Sequence, residues 1–409
     1  MKIPLNLSKE KREIFMEYFH AAFRKIPGNY FTPSGQANFL SDGRYQISLS
    51  FELQTSSGIA NLIWTLVIEV DGSLQNIEVD SNEIAEEIWS AAATKFVTEV
   101  LSSAFSGNST RFFHRTSICR IGEDLHGEYW LPGFRFAPSM QEDEKSYWMD
   151  AERYLYIDQE VDAIDNIHAN DIAYERALNF TARLSLILDI SLYQPSSTKR
   201  WIILKDASEN YFSKLEPLGF IPRERAFKMP QKGVECRAGK FDGSILDEYL
   251  NAGGGTLLMC PIETRKILRG VANCAPNIQD AFDSCARLYQ ASLVAGKGYP
   301  TIRLAYQVGA IESITQKVDG YKGFSDFVRK EAQYTDNKFL DYLYSSVRSA
   351  HLHGGAFPLG EYSSQKRSLG LSNLESFQNH NNDWTASTIM RRSIMSWILR
   401  EIVPMAGDS

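Results

Sequence analysis

No run of apolar residues in this chain approaches the roughly 20 needed to span a bilayer. The opening residues, MKIPLNLSKEKREIF, lack the basic segment, apolar stretch and small-residue cleavage site of a secretory leader. Cysteine is scarce. The five present, Cys119, Cys236, Cys260, Cys274 and Cys285, are scattered, odd in number and form no CxxC pair. That argues against a disulfide framework and against a structural zinc site. Positive charge is outnumbered, 43 Lys and Arg against 50 Asp and Glu, for a formal net charge of −7. Such a chain does not coat nucleic acid through bulk electrostatics, so any nucleic-acid binding must rest on a local site. Phosphate-loop signatures are missing as well. The Gly-rich segment GGGTLLMC at 253–260 has no Lys-Ser/Thr and no GxGxxG pattern, and reads as a turn before a buried strand. Repeats and low-complexity segments are absent. The expectation from these absences is a cytoplasmic protein with reduced thiols, no membrane partner, no metal and no cofactor.

What is present is ordinary globular material: 409 residues, 44% hydrophobic and 23% charged, long enough for two or three domains. Ser8 can cap an amphipathic helix over residues 8–25, and β-branched and aromatic runs follow (RYQISLSFEL, ANLIWTLVIEV). An Asp71-Gly72 turn and a helix over about 81–104 complete an α+β pattern. Residues 106–150 are aromatic, with turn signals at Pro132-Gly133 and Pro138, and close on the acidic stretch QEDEKSYWMD. Residues 164–193 read as one long helix or two, and RWIILK at 201–206 as a strand. From about 262 the rhythm is helical. Ile278, Ala281, Phe282, Cys285, Leu288 and Tyr289 share one face. Pro300 suits a helix first turn, and FSDFVRKEA is a short helix. Asp336 can cap KFLDYLYSSVRSAHLH, Gly354-Gly355 can stop it, and Asp383 can cap a last helix. The predicted architecture is an α+β domain over 1–150, a mixed helix and strand region over 151–262, and an all-α helix bundle over 263–409.

Chemistry concentrates in YLYSSVRSAHLHGGAF, residues 342–357, where Arg348 and His353 stand in R-x4-H spacing at the end of an apolar helix. The segment resembles the signature of the HEPN superfamily. The surrounding form, tyrosine, then Arg-Ser, then His-Gly-Gly, is most similar to the ApeA-like branch, as is the upstream GAIESI with Glu312. The resemblance covers about residues 275–403. HEPN nucleases often carry Asn or Asp after the arginine; here the residue is Ser349. A second histidine, His351, lies inside the motif, and either imidazole is a candidate catalytic group. The resemblance implies a HEPN bundle and a metal-independent endoribonuclease acting on structured RNA such as tRNA. It also implies a homodimer whose two motifs face one cleft, and a toxin-like role in bacterial antiphage defence, with a phage-derived trigger or an inhibitory partner.

The residue types suit that chemistry. RNA is cut when its own 2′-hydroxyl attacks the adjacent phosphorus; a neutral imidazole can take the hydroxyl proton and a protonated one can supply the leaving 5′ oxygen. Guanidinium donors can hold the charge that gathers on the phosphoryl oxygens. On an ideal α-helix, five residues rotate by about 500°, so Arg348 and His353 point about 140° apart. Either the Gly-Gly end unwinds or a second copy completes the site. Arg348 and His351, at i and i+3, share a face, so His351 can orient Arg348 or replace His353. Glu312 can pair with Arg348 or be a solvated carboxylate. Tyr344, one turn earlier, can stack on a base or pack into the core. Lys366 and Arg367 can contact RNA phosphates or be solvated, and Arg391 and Arg392 read as surface residues. The alternative function is non-catalytic: a HEPN scaffold that dimerises and recruits a partner protein.

Overall fold

The computed structural model describes residues 1–26, 34–55, 58–81, 84–106, 109–121, 125, 127–131, 133–138, 152–194, 199–205, 211–217, 260, 263–362 and 374–407. They divide into two compact units, one of residues 1–112 with 161–173, the other of residues 113–160 with 174–409. The chain passes between them within β6 (Thr110–Ile121), β9 (Glu152–Ala163) and α3 (Asn166–Leu188).

The first unit is a five-stranded antiparallel sheet with two helices. Its strands β1 (Lys2–Leu7), β2 (Ser34–Phe39), β3 (Tyr45–Thr55), β4 (Gly58–Ile68) and β5 (Leu74–Asp80) lie in the order β1-β5-β4-β3-β2. Strand period 2 places Ala60, Leu62, Trp64 and Leu66 of β4 on one buried face. Against that face pack Phe15 and Phe19 of α1 (Lys9–Arg24) and Trp89 and Phe96 of α2 (Glu86–Ser106). The centre is aromatic: the Phe51 and Trp64 rings stack at 4.7 Å and 7°, and Phe19 meets Trp64 edge-on at 5.8 Å. Ser8 caps α1 as its sequence suggests, accepting from the Lys11 amide. Asp71 accepts from the Ser73 amide at 2.9 Å, and Gly72 supplies the positive φ (+84°) of the turn into β5. The second helix begins at Glu86, later than the expected start near 81.

The second unit holds a further sheet, in the order β6-β9-β8-β7, with β7 (Tyr129–Leu131) and β8 (Phe134–Pro138). Pro138, expected in a turn, closes β8 and pairs with Leu155. A buried ion network crosses this sheet. Asp158, fully buried on β9, takes Arg115 at 2.6 Å on one side and Arg135 at 2.6 Å on the other. A hairpin of β10 (Lys199–Lys205) and β11 (Tyr211–Pro217) follows α3.

Helices make up the rest of the described chain: α4 (Thr264–Asn273), α5 (Pro276–Ala295), α6 (Pro300–Thr315), α7 (Phe324–Ala332), α8 (Asn337–Asp341), α9 (Ala350–Gly354) and α10 (Leu374–Trp397). Ala281, Phe282, Cys285 and Tyr289 of α5 are buried on the stripe that the periodicity predicts. Gly270 lets α4 approach the C-terminal turn closely; a Cβ there would lie 2.1 Å from the Ile402 carbonyl oxygen. Asp336 caps α8 through the Phe339 amide. Asp383, expected to cap the last helix, sits inside it: α10 starts at Leu374, and Asp383 pairs with Arg303 at 2.5 Å.

Arg391 departs from its surface expectation. Its guanidinium is buried and donates to the Leu186 and Ile187 carbonyls, the latter at 2.8 Å, at the end of α3. Those carbonyls have no partner within their own helix, so a cation there satisfies both hydrogen bonding and the helix dipole. Tyr289 completes the cap by donating to Asp189 at 2.6 Å, where the chain leaves α3 with φ +55°. Burial, with the Asp189 carboxylate beside it, pushes the Tyr289 hydroxyl well above the ordinary phenol range. Arg392 is exposed. The fold class is α+β, with antiparallel sheets and a C-terminal helical region. Among the described residues, no helix is long and apolar enough to cross a membrane.

Candidate functional site

The segment between α8 and α9 is not α-helical. Residues Tyr342–Ser349 form a π-helix in which the Ala350 amide reaches back to the Ser345 carbonyl, five residues earlier. The expected α-helical angle between successive side chains therefore does not apply up to Ser349. Single π-helical segments inside α-helices occur often at functional sites, because the wider turn re-aims side chains. Leu343 and Val347 stay buried on one side. Tyr344 and Arg348 turn the other way.

Arg348 forms an ion pair with Glu312 of α6, 2.9 Å from nitrogen to oxygen, with side chains 24% and 14% exposed. Its guanidinium carbon lies 5.6 Å from the centre of the Tyr344 ring. The ring is near-parallel to Phe324 at 6.3 Å and 27°. Tyr344 is 40% exposed, so the core-packing alternative does not hold. Arg348 Nε is buried and makes no hydrogen bond among the described residues, so any donors open to a ligand are those of its partly exposed outer guanidinium. The structure thus brings Glu312, Tyr344 and Arg348 together from α6 and the π-helix.

The two histidines occupy different surroundings. His351 places Nδ1 3.0 Å from the Ala356 carbonyl oxygen and rests edge-on against Phe357 at 4.8 Å. It makes no hydrogen bond to Arg348. His353 is exposed and makes no hydrogen bond, ion pair or ring contact among the described residues. The helix then ends where Gly355 takes a left-handed φ of +65°, donating its amide to His351 at 2.9 Å. No hydrogen bond or ion pair joins Arg348 to His353 within one chain among the described residues. Ser349 is half-buried at the last π-helical position. Lys366 and Arg367 lie outside the described residues.

An open groove of about 430 Å³ adjoins the ion pair. Glu312, Thr315 and Gln316 line it from the end of α6, Phe324 and Asp326 from the start of α7, and Tyr344 from the π-helix. Sequence reasoning missed the groove, since no motif ties GFSD at 323–326 to the R-x4-H segment that begins at Arg348. It also missed a second carboxylate–guanidinium cluster. Glu331 of α7 accepts from Tyr321 at 2.7 Å and Ser396 at 3.1 Å, and pairs at 2.9 Å with Arg400. Arg400 lies on another π-helical segment, Ile398–Ile402. Burial, with Glu331 next to it, pushes the Tyr321 hydroxyl far above its usual range. No group of three His, Cys, Asp or Glu among the described residues has the disposition of a metal site. No family model matches the chain, and neither do curated proteins or solved structures.

Proposed function

We propose that the chain is a HEPN-type endoribonuclease that cuts structured RNA and works as a homodimer. One observation carries the reading: Arg348 is pinned by Glu312, a carboxylate that lines an open groove, while His353 on the following helical turn is exposed and uncommitted among the described residues. In the proposed reaction the RNA 2′-oxygen bonds to the adjacent phosphorus and the bond from phosphorus to the 5′ oxygen breaks. His353 takes the 2′-hydroxyl proton, and the leaving oxygen gains a proton from a protonated imidazole. Arg348 holds the charge on the phosphoryl oxygens with donors that Glu312 leaves open. The products are a 2′,3′-cyclic phosphate and a 5′-hydroxyl.

The lack of a hydrogen bond or ion pair between Arg348 and His353 within one chain supports the dimer: each cleft would draw its groups from two copies. His351, engaged with Ala356 and Phe357, is assigned to holding the Gly-Gly exit in shape. A toxin-like setting, in which the first unit restrains the nuclease until an infection signal arrives, belongs to the same proposal. The same missing contact favours the second reading, a non-catalytic HEPN module that recruits a partner protein.

The test is incubation with total RNA in EDTA, followed by mapping of the cut ends. The nuclease reading expects cleavage that survives chelation, leaves cyclic phosphate ends and is lost in Arg348→Ala and His353→Ala. His351→Ala should keep a measurable rate. A wild-type protein that cuts no RNA, or cuts only with a divalent metal, overturns the reading. Unchanged cleavage by Arg348→Ala overturns the assigned site.

A further inference from the structure

We propose that the groove between the end of α6 and the start of α7 is a nucleobase subsite, in which an unpaired base of the substrate RNA lies against Tyr344. The inference deepens the nuclease reading and rests on it for the adjacent cleavage site. Size is the first argument: about 430 Å³ falls within the range of roughly 300–1,000 Å³ typical of small-ligand sites.

Ring geometry is the second. Tyr344 is 40% exposed, yet its plane is held by Phe324 at 6.3 Å and by the Arg348 guanidinium at 5.6 Å. An aromatic ring that is both exposed and held in place is a stacking platform of low ordering cost.

The polar lining decides which part of a nucleotide enters. Glu312 and Asp326 present carboxylates. One Asp326 oxygen accepts from the Lys322 amide at 3.0 Å and pairs with Lys330 at 2.9 Å, and hydrogen bonds to that amide and to Lys330 hold its carboxyl below the usual carboxylate range. The group is therefore ionised and acceptor-only at neutral pH. Both carboxylates are ion-paired, Glu312 with Arg348 and Asp326 with Lys330, and their remaining lone pairs accept from N–H donors rather than from a phosphate. The Gln316 side-chain carboxamide, exposed and without a hydrogen bond among the described residues, adds a donor and an acceptor. A base edge rich in donors suits this lining, and guanine, whose N1–H and amino group stand side by side, suits it best. Phosphates would follow the rim, where Lys322 and Arg329 are exposed. A base can turn into such a groove only from a single-stranded loop, bulge or end. Cleavage is then confined to unpaired nucleotides, next to a guanine by preference.

The experiment measures binding separately from cutting. Uncleavable 2′-O-methyl RNA heptamers with a central guanine or uracil, and a duplex of the same sequence, are titrated against the full-length protein by fluorescence anisotropy. Tyr344→Ala should weaken the guanine heptamer by about 5- to 150-fold, the worth of one stacked base. Tyr344→Phe should stay within a few-fold of wild type, the uracil heptamer should bind more weakly, and the duplex should not compete. A 4-thiouridine beside the guanine should crosslink within the α6–α7 groove. Wild-type affinity in Tyr344→Ala, with the melting temperature unchanged, overturns the subsite, and so does equal binding of the duplex. Absence of any RNA cleavage defeats the nuclease reading instead and leaves this binding result to stand or fall on its own.

Discussion

Arg348 and Arg400 both sit on π-helical turns, both pair with a glutamate at 2.9 Å and both lie beside a tyrosine, yet the two clusters differ in saturation. Glu331, with a side chain 2% exposed, takes Tyr321, Ser396 and Arg400, and Arg400 also donates to the Tyr321 hydroxyl at 2.5 Å and pairs with Glu401 at 3.1 Å. Among the described residues the Glu312 carboxylate takes only Arg348, whose side chain stays 24% exposed. A buried polar network with every member satisfied fixes a fold; a cation held by one ion pair and left partly exposed can still meet a ligand. The π-turn alone therefore does not mark function here. What sets the Arg348 cluster apart, and what the proposed function rests on, is a partly exposed guanidinium with one ion pair to a groove-lining carboxylate.

Substitutions can break this comparison, and the largest effect falls on the unsaturated side. Arg348→Ala should lower RNA cleavage by about 100- to 1,000-fold, the usual consequence of removing one preorganised transition-state donor. The melting temperature should stay close to wild type, because the guanidinium is partly solvated and makes one ion pair. Rates from single-turnover cleavage and calorimetry of the same sample decide it; a large loss of stability would turn Arg348 into a second structural arginine. Glu331→Ala is the mirror experiment. It removes three interactions at a buried carboxylate and should cost on the order of 3 kcal/mol in denaturant unfolding, with cleavage per folded molecule unchanged.

A subtler contrast is between Glu312→Gln and Glu312→Ala. The amide oxygen of glutamine can still accept from Arg348 but no longer holds it by charge, so Glu312→Gln should slow cleavage by about tenfold, one lost charge-assisted interaction of roughly 1.4 kcal/mol. Glu312→Ala should slow it further, and its defect should appear in kcat more than in KM if the carboxylate only positions the guanidinium. Equal activity in all three proteins would show that the π-turn and Tyr344 alone hold Arg348.

Much of this was readable in the sequence where local rules govern. Ser8, Asp336, Pro300, Gly355 and the Asp71-Gly72 turn act through neighbours a few residues away, and each does what its residue type dictates. The extent of α7, Phe324–Ala332, coincides with FSDFVRKEA for the same reason. Asp383 and Arg391 misled because their partners are far along the chain, Arg303 and the last carbonyls of α3. A capping residue and a helix-surface arginine look the same in sequence whether or not a distant partner claims them. The π-helix is illegible for a related reason: it packs against α6, an element distant in sequence, and no local propensity encodes an extra residue per turn.

The smallest expected effect extends the comparison to the first unit, where a third carboxylate is saturated. Asp165 accepts from Arg24 at 2.6 and 3.0 Å and from the His168 amide at 2.8 Å, at the start of α3. Burial alone would raise its pKa; the bonds from His168 and Arg24 outweigh that and hold it below the ordinary carboxylate range. A carboxyl depressed in the folded state stabilises fully above its unfolded pKa of about 3.9, and that contribution fades as pH falls through the lower folded value. Asp165→Ala should therefore cost about 1–2 kcal/mol at pH 7, as loss of a helix cap does, and progressively less below about pH 4. Urea unfolding of wild type and variant at pH 7, 5 and 3 reads the difference directly. If the gap between them stays constant from pH 7 to 3, Asp165 acts through packing rather than through its charge, and saturation in the first unit would mean something other than it does at Glu331.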